Sequence, residues 1–432
     1  MKNTAVVGAQ FGDEGKAKIT DILASKADII IRYQGGCNAG HTVVYNNKKY
    51  KFHLVPSGIL YENKICFIGA GVVIYPENLK NEIEELKKEG ISEEQFKKSL
   101  KISPLAHITM PYHIDTDGAG EKSLGQNKIG TTKKGIGPTY TDKYNRKGIR
   151  VEDLFNEKSL DKKLDIILPE KNAVLEHVYG LKTYTKEEIK AKLKEYKEFL
   201  APYVCFDWQK VLSDAKENKT ILFEGAQGVL LDIDYGTYPF VTSSNPISGG
   251  AAVGGGMGAM VIQEAAGVFK AYITRVGEGP FITELTDETG DKIQTIGAEF
   301  GVTTGRKRRC GWFDGVIAKY SVLVGGISSI ALTKLDVFDT FDEIKLCVAY
   351  KHKTTGEITD VYPTDVSKHS EYEPVYKTFK GWKSDISKAK TYEELPENAK
   401  IYLSYLEEYL NTKISIISVG PDREQTIFKN SI

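Results

Sequence analysis

Two stretches constrain the fold more than any others. "DIIIRY" (28–33) and "SSIALTK" (328–334) run apolar through their middles with no polar residue between. A strand with one face in water alternates polar and apolar residues. An unbroken run belongs to a strand buried on both faces, the habit of parallel sheets covered by helices on either side. The expected strands are 4–8, 28–33, 65–69, 220–224, 269–275, 329–334, 345–350 and 414–419. Between them lie helical patterns. "ENLKNEIEELKKE" sets Leu79, Ile83 and Leu86 on one face, "KEEIKAKLKEYKEFL" does so with Ile189, Leu193, Tyr196 and Leu200, and a late helix runs through Leu403, Leu406 and Leu410. The alternation predicts an α/β class built on a large, mostly parallel central sheet flanked by helices. With no internal repeat or low-complexity linker, residues 1–432 are expected to form one large domain with insertions, the Lys/Glu-rich 157–200 being a solvated helical one.

Bulk charge excludes several functions. Lys plus Arg and Asp plus Glu number 58 each, so no global field attracts nucleic acid or a membrane surface. The five cysteines (37, 66, 205, 310 and 347) are odd in number and scattered, which suits free thiols in a reducing compartment. No stretch reaches the ~18 apolar residues of a membrane span. A soluble cytoplasmic protein is expected.

The chemistry starts at "VVGAQFGDEGKAKITD" (6–21), an apolar strand, a glycine-studded loop and then a helical pattern through Ile19, Ile22 and Leu23. That order makes a phosphate cradle from backbone N–H groups and a helix N-terminus. Gln10 and Ala17 stand where a Walker loop needs Gly and Ser or Thr, so this is a phosphate loop of another kind. Asp13 and Glu14, two carboxylates where polyphosphate should lie, need a chemical reason.

Four further segments stand apart. "RYQGGCNAGHT" leaves the strand 28–33, and its Asn38, His41 and Thr42 are polar tips among glycines at the strand end where α/β sheets bind ligands. "IGTTKKGIGPTYTDKYNRKG" (129–148) gathers threonines, glycines and cations suited to anions. "TTGRKRRCGW" (303–312) has four consecutive cations whose arginine forks suit a small anionic ligand; no aromatic interleaving supports nucleic acid. "IALTKLDVFD" ends a buried strand in Thr333-Lys334-Leu335-Asp336, which resembles the guanine-recognition element of GTP-binding proteins. There a carboxylate accepts from the ring N–H and exocyclic amine of guanine, and the lysine stem lies along the base. In "FEGAQGVLLDIDYG", Gln227 and Asp232 either line the same crevice or form only a tight crossover. "GGAAVGGGMGA" formally matches a dinucleotide fingerprint at Gly254, but no strand precedes it, so a mobile or close-packed backbone segment is the better reading. The seven histidines lack zinc spacing; a hard cation held by carboxylate, backbone oxygen and phosphates suits the loop better.

Together "QFGDEGKAK", "RYQGGCNAGHT", "IGTTKKGIGP", "FEGAQG", "YPFVTSSN", "TTGRKRRCGW", "TKLD" and "SVGPDREQT" resemble the adenylosuccinate synthetase family, in the family's order and over essentially the whole chain. The resemblance implies a fold loosely related to P-loop GTP-binding proteins. It also implies a cytoplasmic homodimeric enzyme of purine synthesis that joins IMP to L-aspartate with hydrolysis of GTP. Asp13 matches the catalytic base and magnesium ligand, with the Gly40 carbonyl also on Mg2+, and His41 matches the acid. Gly12, Asp13, Glu14, Gly15, Lys16, Ala17, Lys18, Gly40, His41, Thr42 and Arg308 match the GTP site. Lys334, Leu335 and Asp336 match its base reader, which Ser418, Val419 and Gly420 close. Asn38, Ala39, Thr131, Thr132, Lys143, Gln227, Leu231, Thr242 and Val276 match substrate-binding positions, and Arg146 matches an arginine shared across the dimer. Val302, Thr303, Thr304, Gly305 and Arg306 match the aspartate loop. Ala17 replaces a usual glycine, and Lys133-Lys134 stands where Gly-Arg is common. The rival readings are a GTP-regulated switch, which would hydrolyse GTP without IMP, and a dinucleotide oxidoreductase.

Overall fold

The computed structural model describes residues 1–45, 48–125, 128–300 and 307–430. Its spine is a nine-stranded sheet, numbered here in chain order: β1 Thr4–Gly8, β2 Ile29–Arg32, β3 Ile65–Ile68, β4 Leu100–Ile102, β5 Ile221–Glu224, β6 Glu264–Lys270, β7 Ser329–Thr333, β8 Ile414–Ser418 and β9 Thr426–Phe428. In space they run β9-β8-β7-β6-β1-β5-β2-β3-β4. All neighbours are parallel except the edge pair β8–β9. β1, β2, β5, β6, β7 and β8 are buried at every residue, which is why their sequences show no alternation.

β1 lies in the middle, and the chain works outward from it to one side through β2, β3 and β4 and later to the other through β6, β7 and β8. Parallel strands end on one edge. Hence the loops after Gly8, Arg32, Glu224, Thr333 and Ser418 all open there, at the place where the connections diverge.

The run 269–275, expected as one strand, is two. β6 stops at Lys270, and Tyr272–Arg275 pairs antiparallel with Arg309–Asp314 in a second sheet that also holds Glu343–His352, Ile358–Thr359 and Tyr372–Lys380. The reason is Gln10. Its Nε2 donates to the carbonyls of Lys270 (3.3 Å) and Tyr272 (3.1 Å), and its Oε1 accepts from the Lys270 N–H (3.1 Å). One side chain from the phosphate loop thus occupies the backbone groups that would have continued the ladder.

Helices Glu157–Ala173 and Lys186–Leu200 form the expected insertion, burying Leu160, Leu164, Ile189 and Leu193 under charged outer faces. The glycine-rich 248–255 is a helix, and Gly254 sits so close to Tyr33 that an added Cβ would lie 1.9 Å from its carbonyl oxygen. That segment is close-packed scaffold. All five cysteines are buried free thiols. Among the described residues, no helix is long and apolar enough to cross a membrane.

Candidate active site

The phosphate loop turns through left-handed backbone at Gly12 (φ +82°), Asp13 (φ +59°) and Gly15 (φ +82°), and Gly15 leads into helix α1, Lys16–Ala24. Only glycine adopts that conformation without steric cost, so two of the three positions are glycine. The two acids have separate fates. Glu14 is fully buried: Oε1 accepts from the N–H groups of Gln10 (3.0 Å) and Gly12 (2.8 Å), and Oε2 pairs with Lys16 Nζ at 2.6 Å. It is an internal fastener that fixes the loop's shape. Asp13 faces outward, its side chain 39% exposed, and pairs with Arg308 Nε at 2.9 Å. The Thr333 hydroxyl donates to the Glu14 carbonyl (2.5 Å), joining the loop to the end of β7. The Ala17 methyl is buried in the same apolar cluster as Cys37 and Val43.

Next along the edge, His41 is buried with its Nδ1 2.8 Å from Glu224 Oε1. Glu224 also accepts from Arg32 Nη1 (3.2 Å), Ser57 N–H (2.9 Å) and Ser57 Oγ (3.0 Å). Arg32 and Glu224 are direct partners in the register of β2 and β5, so opposite charges meet at neighbouring strand ends. Burial pushes the Glu224 carboxyl up, but the His41 hydrogen bond and the Arg32 charge outweigh it and hold it at about 2. Burial pushes His41 down despite Glu224, with Arg32 and Lys16 adding to the effect. Free His41 is therefore a neutral imidazole that donates Nδ1–H to an ionised Glu224 and keeps its proton-accepting site at Nε2. Gly40 and Thr42 on either side are exposed, while Ala39 is buried and its carbonyl accepts from His53 Nδ1 at 2.6 Å.

The positions expected to hold the substrate purine lie beside this pair. Gln227 has left-handed backbone (φ +57°), and its Oε1 accepts from Gln34 Nε2 (2.9 Å), while Gln34 Oε1 accepts from the Ala226 N–H (2.9 Å). A Cβ on Gly12 would be 3.7 Å from Leu231 Cδ1 and 3.8 Å from the Gln227 backbone, so phosphate loop and crossover face each other. Asn38 Oδ1 accepts from the Gly36 N–H (3.2 Å). Among the described residues the buried Thr242 hydroxyl has no hydrogen-bond partner. Buried Glu121 takes the N–H groups of Gly130 (2.7 Å) and Thr131 (3.3 Å), and Asp117 takes that of Gly135 (2.8 Å), so helix Pro111–Ser123 shapes this loop. Thr132 and Lys133 are exposed and Lys134 is half-buried. Lys143 turns inward to the Ala70 carbonyl (3.1 Å), whereas Arg146 (φ +61°) and Val276 are exposed.

At the other side of the phosphate loop, Lys334 is left-handed (φ +58°) and its Nζ donates to Gly297 O (2.5 Å) and Glu299 Oε1 (2.9 Å). Leu335 is buried, and among the described residues the buried Asp336 Oδ1 has no hydrogen-bond partner. Lys18 donates to Ser418 Oγ (2.8 Å), Gly420 O (2.8 Å) and Gln425 O (2.9 Å), lashing α1 to the loop that begins with Ser418, Val419 and Gly420. Burial brings the Lys18 ammonium down to about 8, against the pull of Asp336. Arg308 joins this side to Asp13 through Glu299. Val302, Thr303, Thr304, Gly305 and Arg306 lie outside the described residues.

Sequence reading missed Gln34, Arg32, Glu224 and Glu299. The first three carried a faint signal, polar residues at the ends of apolar strands; Glu299, in "IGAEFG", carried none. Among the described residues no three His, Cys, Asp or Glu side chains cluster for a metal.

A glycine-rich loop at a helix N-terminus, the Thr333–Asp336 strand end and a further set of polar groups open on one parallel-sheet edge, an arrangement of the nucleotide-handling class of enzymes. The family profile described as adenylosuccinate synthetase matches residues 5–427. Adenylosuccinate synthetases of Prochlorococcus marinus (strain MIT 9515) and Heliobacterium modesticaldum are 52% and 53% identical, over 99% of this chain and 97% and 99% of theirs. The solved structure of fully ligated adenylosuccinate synthetase from Plasmodium falciparum superposes with a TM-score of 0.91 at 41% identity, covering both chains in full. A cyanophage S-2L succinoaminodeoxyadenylate synthetase shares the fold alone, at TM-score 0.62 and 16% identity over all of this chain and 96% of that one. The chain belongs to the adenylosuccinate synthetase family. It is a GTP-dependent ligase of purine synthesis that joins IMP and aspartate.

Proposed function

We propose that Asp13 is the general base of this ligation and His41 its acid. Asp13 takes the proton from ring nitrogen 1 of IMP. Charge then gathers on the oxygen at carbon 6, which attacks the γ-phosphorus of GTP. The aspartate amine afterwards displaces the 6-phosphoryl group, giving adenylosuccinate, GDP and phosphate. The observation carrying this reading is the split between the two loop acids: Glu14 is spent on its own loop, which leaves Asp13 as the outward carboxylate.

Asp13 and the Gly40 carbonyl suit Mg2+, which favours one or two carboxylates together with substrate phosphates. Bound there, the ion would offset repulsion between Asp13 and the phosphates and neutralise charge developing during transfer. Asn38, Thr132, Gln227 and Thr242 hold IMP. Arg146 reaches the partner's IMP in a cytoplasmic homodimer, each chain acting as one α/β unit. The exposure of Arg146 on its left-handed turn supports a role outward from its own site.

His41 is neutral before GTP arrives, so it gains its acidic proton with the nucleotide. Polyphosphate charge beside a buried imidazole favours imidazolium, and Glu224 is poised to stabilise it. GTP binding near pH 7 is therefore expected to take up a proton, read by calorimetry in buffers of different ionisation enthalpy. His41→Asn should bind GTP without that uptake, and unchanged uptake would remove the assignment.

The proposal is tested by an ultraviolet assay with GTP, IMP, aspartate and magnesium, each omitted in turn. Product should form only with all four present; GTP hydrolysis without IMP would favour the switch reading. Sharing of the site is tested by mixing Arg146→Leu with His41→Asn protein. Recovery toward about a quarter of wild-type activity is the statistical yield of one intact site per hybrid in an equal, freely exchanging mixture. No recovery despite demonstrated exchange rules sharing out.

A further inference from the structure

We propose that Glu299 is a positioning residue that ties recognition of the guanine base to the reacting end of the site. This rests on the assignment of Lys334 and Asp336 to guanine and of Asp13 to the base.

Glu299 is completely buried and holds more partners than charge neutralisation requires. Its Oε1 accepts from Lys270 Nζ (2.8 Å), Tyr272 OH (2.5 Å) and Lys334 Nζ (2.9 Å), and its Oε2 accepts from Arg308 Nη1 (2.8 Å). Lys270, itself fully buried and also bonded to Thr274 Oγ1 (2.8 Å), would alone balance the carboxylate. The other two cations reach it from the crevice, with side chains 34% (Lys334) and 14% (Arg308) exposed. The carboxylate is thus divided: one oxygen serves the base reader and the other serves the arginine 2.9 Å from Asp13. The surrounding backbone is tied as well, through Lys334 Nζ to Gly297 O and through the Arg308 N–H to Glu299 O (3.0 Å).

The frame is rigid because it sits where the two sheets part. Lys270 ends β6, Tyr272 begins the neighbouring strand, and Gln10 of the phosphate loop pins both. Lys334 cannot shift along a bound base without changing its share of Oε1, nor Arg308 turn without releasing Oε2. A base that seats Lys334 correctly therefore also sets the guanidinium beside Asp13. Burial drives the Glu299 carboxyl up, yet the Lys270 and Lys334 charges outweigh it, so the hub is ionised throughout the working range.

The test is Glu299→Gln, which keeps the shape and removes the charge. A displaced reacting group is expected to lower kcat/KM for GTP about 100-fold. Both parameters should move, kcat falling and KM for GTP rising, with KM for IMP within about twofold of wild type. The coupling is read by a cycle: Lys334→Met should lower kcat in the wild type and add little further loss beside Glu299→Gln. If the single variant misfolds, Lys270→Met with Glu299→Gln removes the buried pair together and should show the same kinetics. Wild-type kinetics in a folded variant, or an additive cycle, overturns the proposal, as does failure of both variants to fold, since Glu299 would then be scaffold alone. Asp336→Asn separates the two layers. If it shifts nucleotide preference while Glu299→Gln changes nothing, only the coupling fails; if it leaves preference untouched, the guanine reading fails.

Discussion

Replacing Asp13 by alanine is expected to cut synthesis roughly 1,000-fold or more while leaving IMP binding within a few-fold. The general base alone is worth about 10²–10⁴-fold. Asp13 also holds the cation in the proposed site, so the alanine variant loses two contributions at once. Unfolding does not confuse the result: Asp13 is partly exposed, and its pair with Arg308 is worth about 0–1 kcal/mol after solvent screening. The left-handed backbone is the one structural risk, since alanine there costs about 1–2 kcal/mol. Asp13→Asn tolerates that conformation better and keeps a neutral oxygen toward a cation, though it cannot accept the ring proton. Both variants should therefore be nearly inactive by ultraviolet assay and bind IMP normally by calorimetry. Near-normal turnover in the asparagine variant would take the base role from Asp13.

The paired acids of the phosphate loop show where sequence reading works and where it stops. Strand, glycine turn and helix were legible because backbone conformation leaves a local imprint: an unbroken apolar run, glycine at positive φ, then apolar residues at helical spacing. The strand ends leading to Gln227 and Lys334 were legible for the same reason, whereas His41 opens a strand of its own, His41–Tyr45, that the sequence reading did not expect. What separates Asp13 from Glu14 is not local. Glu14 is buried by its loop folding round it, and Asp13 faces an arginine 295 positions away in the chain. Likewise, Glu224 lies 183 residues beyond His41 and is placed beside it only by the register of β5 against β2. Nothing near Glu299 in sequence marks it as a hub, because three of its four side-chain partners among the described residues, Lys270, Tyr272 and Lys334, lie 27 to 35 positions away. The break at Ala271 was hidden too, as both flanking runs favour strand and the residue that parts them, Gln10, is distant in sequence.

Changing Asp336 to asparagine is expected to move nucleotide preference from GTP to xanthosine triphosphate. The Asp336 carboxylate lies at a buried strand end with Oδ1 unpaired among the described residues, so its desolvation is already borne before any base arrives. Guanine offers two donors, ring N–H and exocyclic amine, to a group that only accepts. Asparagine sets an amide N–H₂ against that amine, donor facing donor, in a place water does not reach. Sites built around such a hydrogen bond reject the mismatched ligand by roughly 10⁴–10⁵-fold, and a loss of that order in kcat/KM for GTP is expected. Xanthine presents a carbonyl where guanine has the amine, and the same asparagine donates to it, so activity should return with that nucleotide. A second signature follows from burial, which raises the Asp336 carboxyl above its usual value. In the proposed site guanine is read by the ionised form, so GTP affinity is expected to be complete above that raised value and to fall as pH drops through it, beginning above the ordinary aspartate value near ~4. Asparagine does not titrate, so xanthosine triphosphate binding by the variant should lack this limb. If GTP preference survived in Asp336→Asn, the purine of the phosphoryl donor would be read somewhere else, and Lys334 would have no base to lie along.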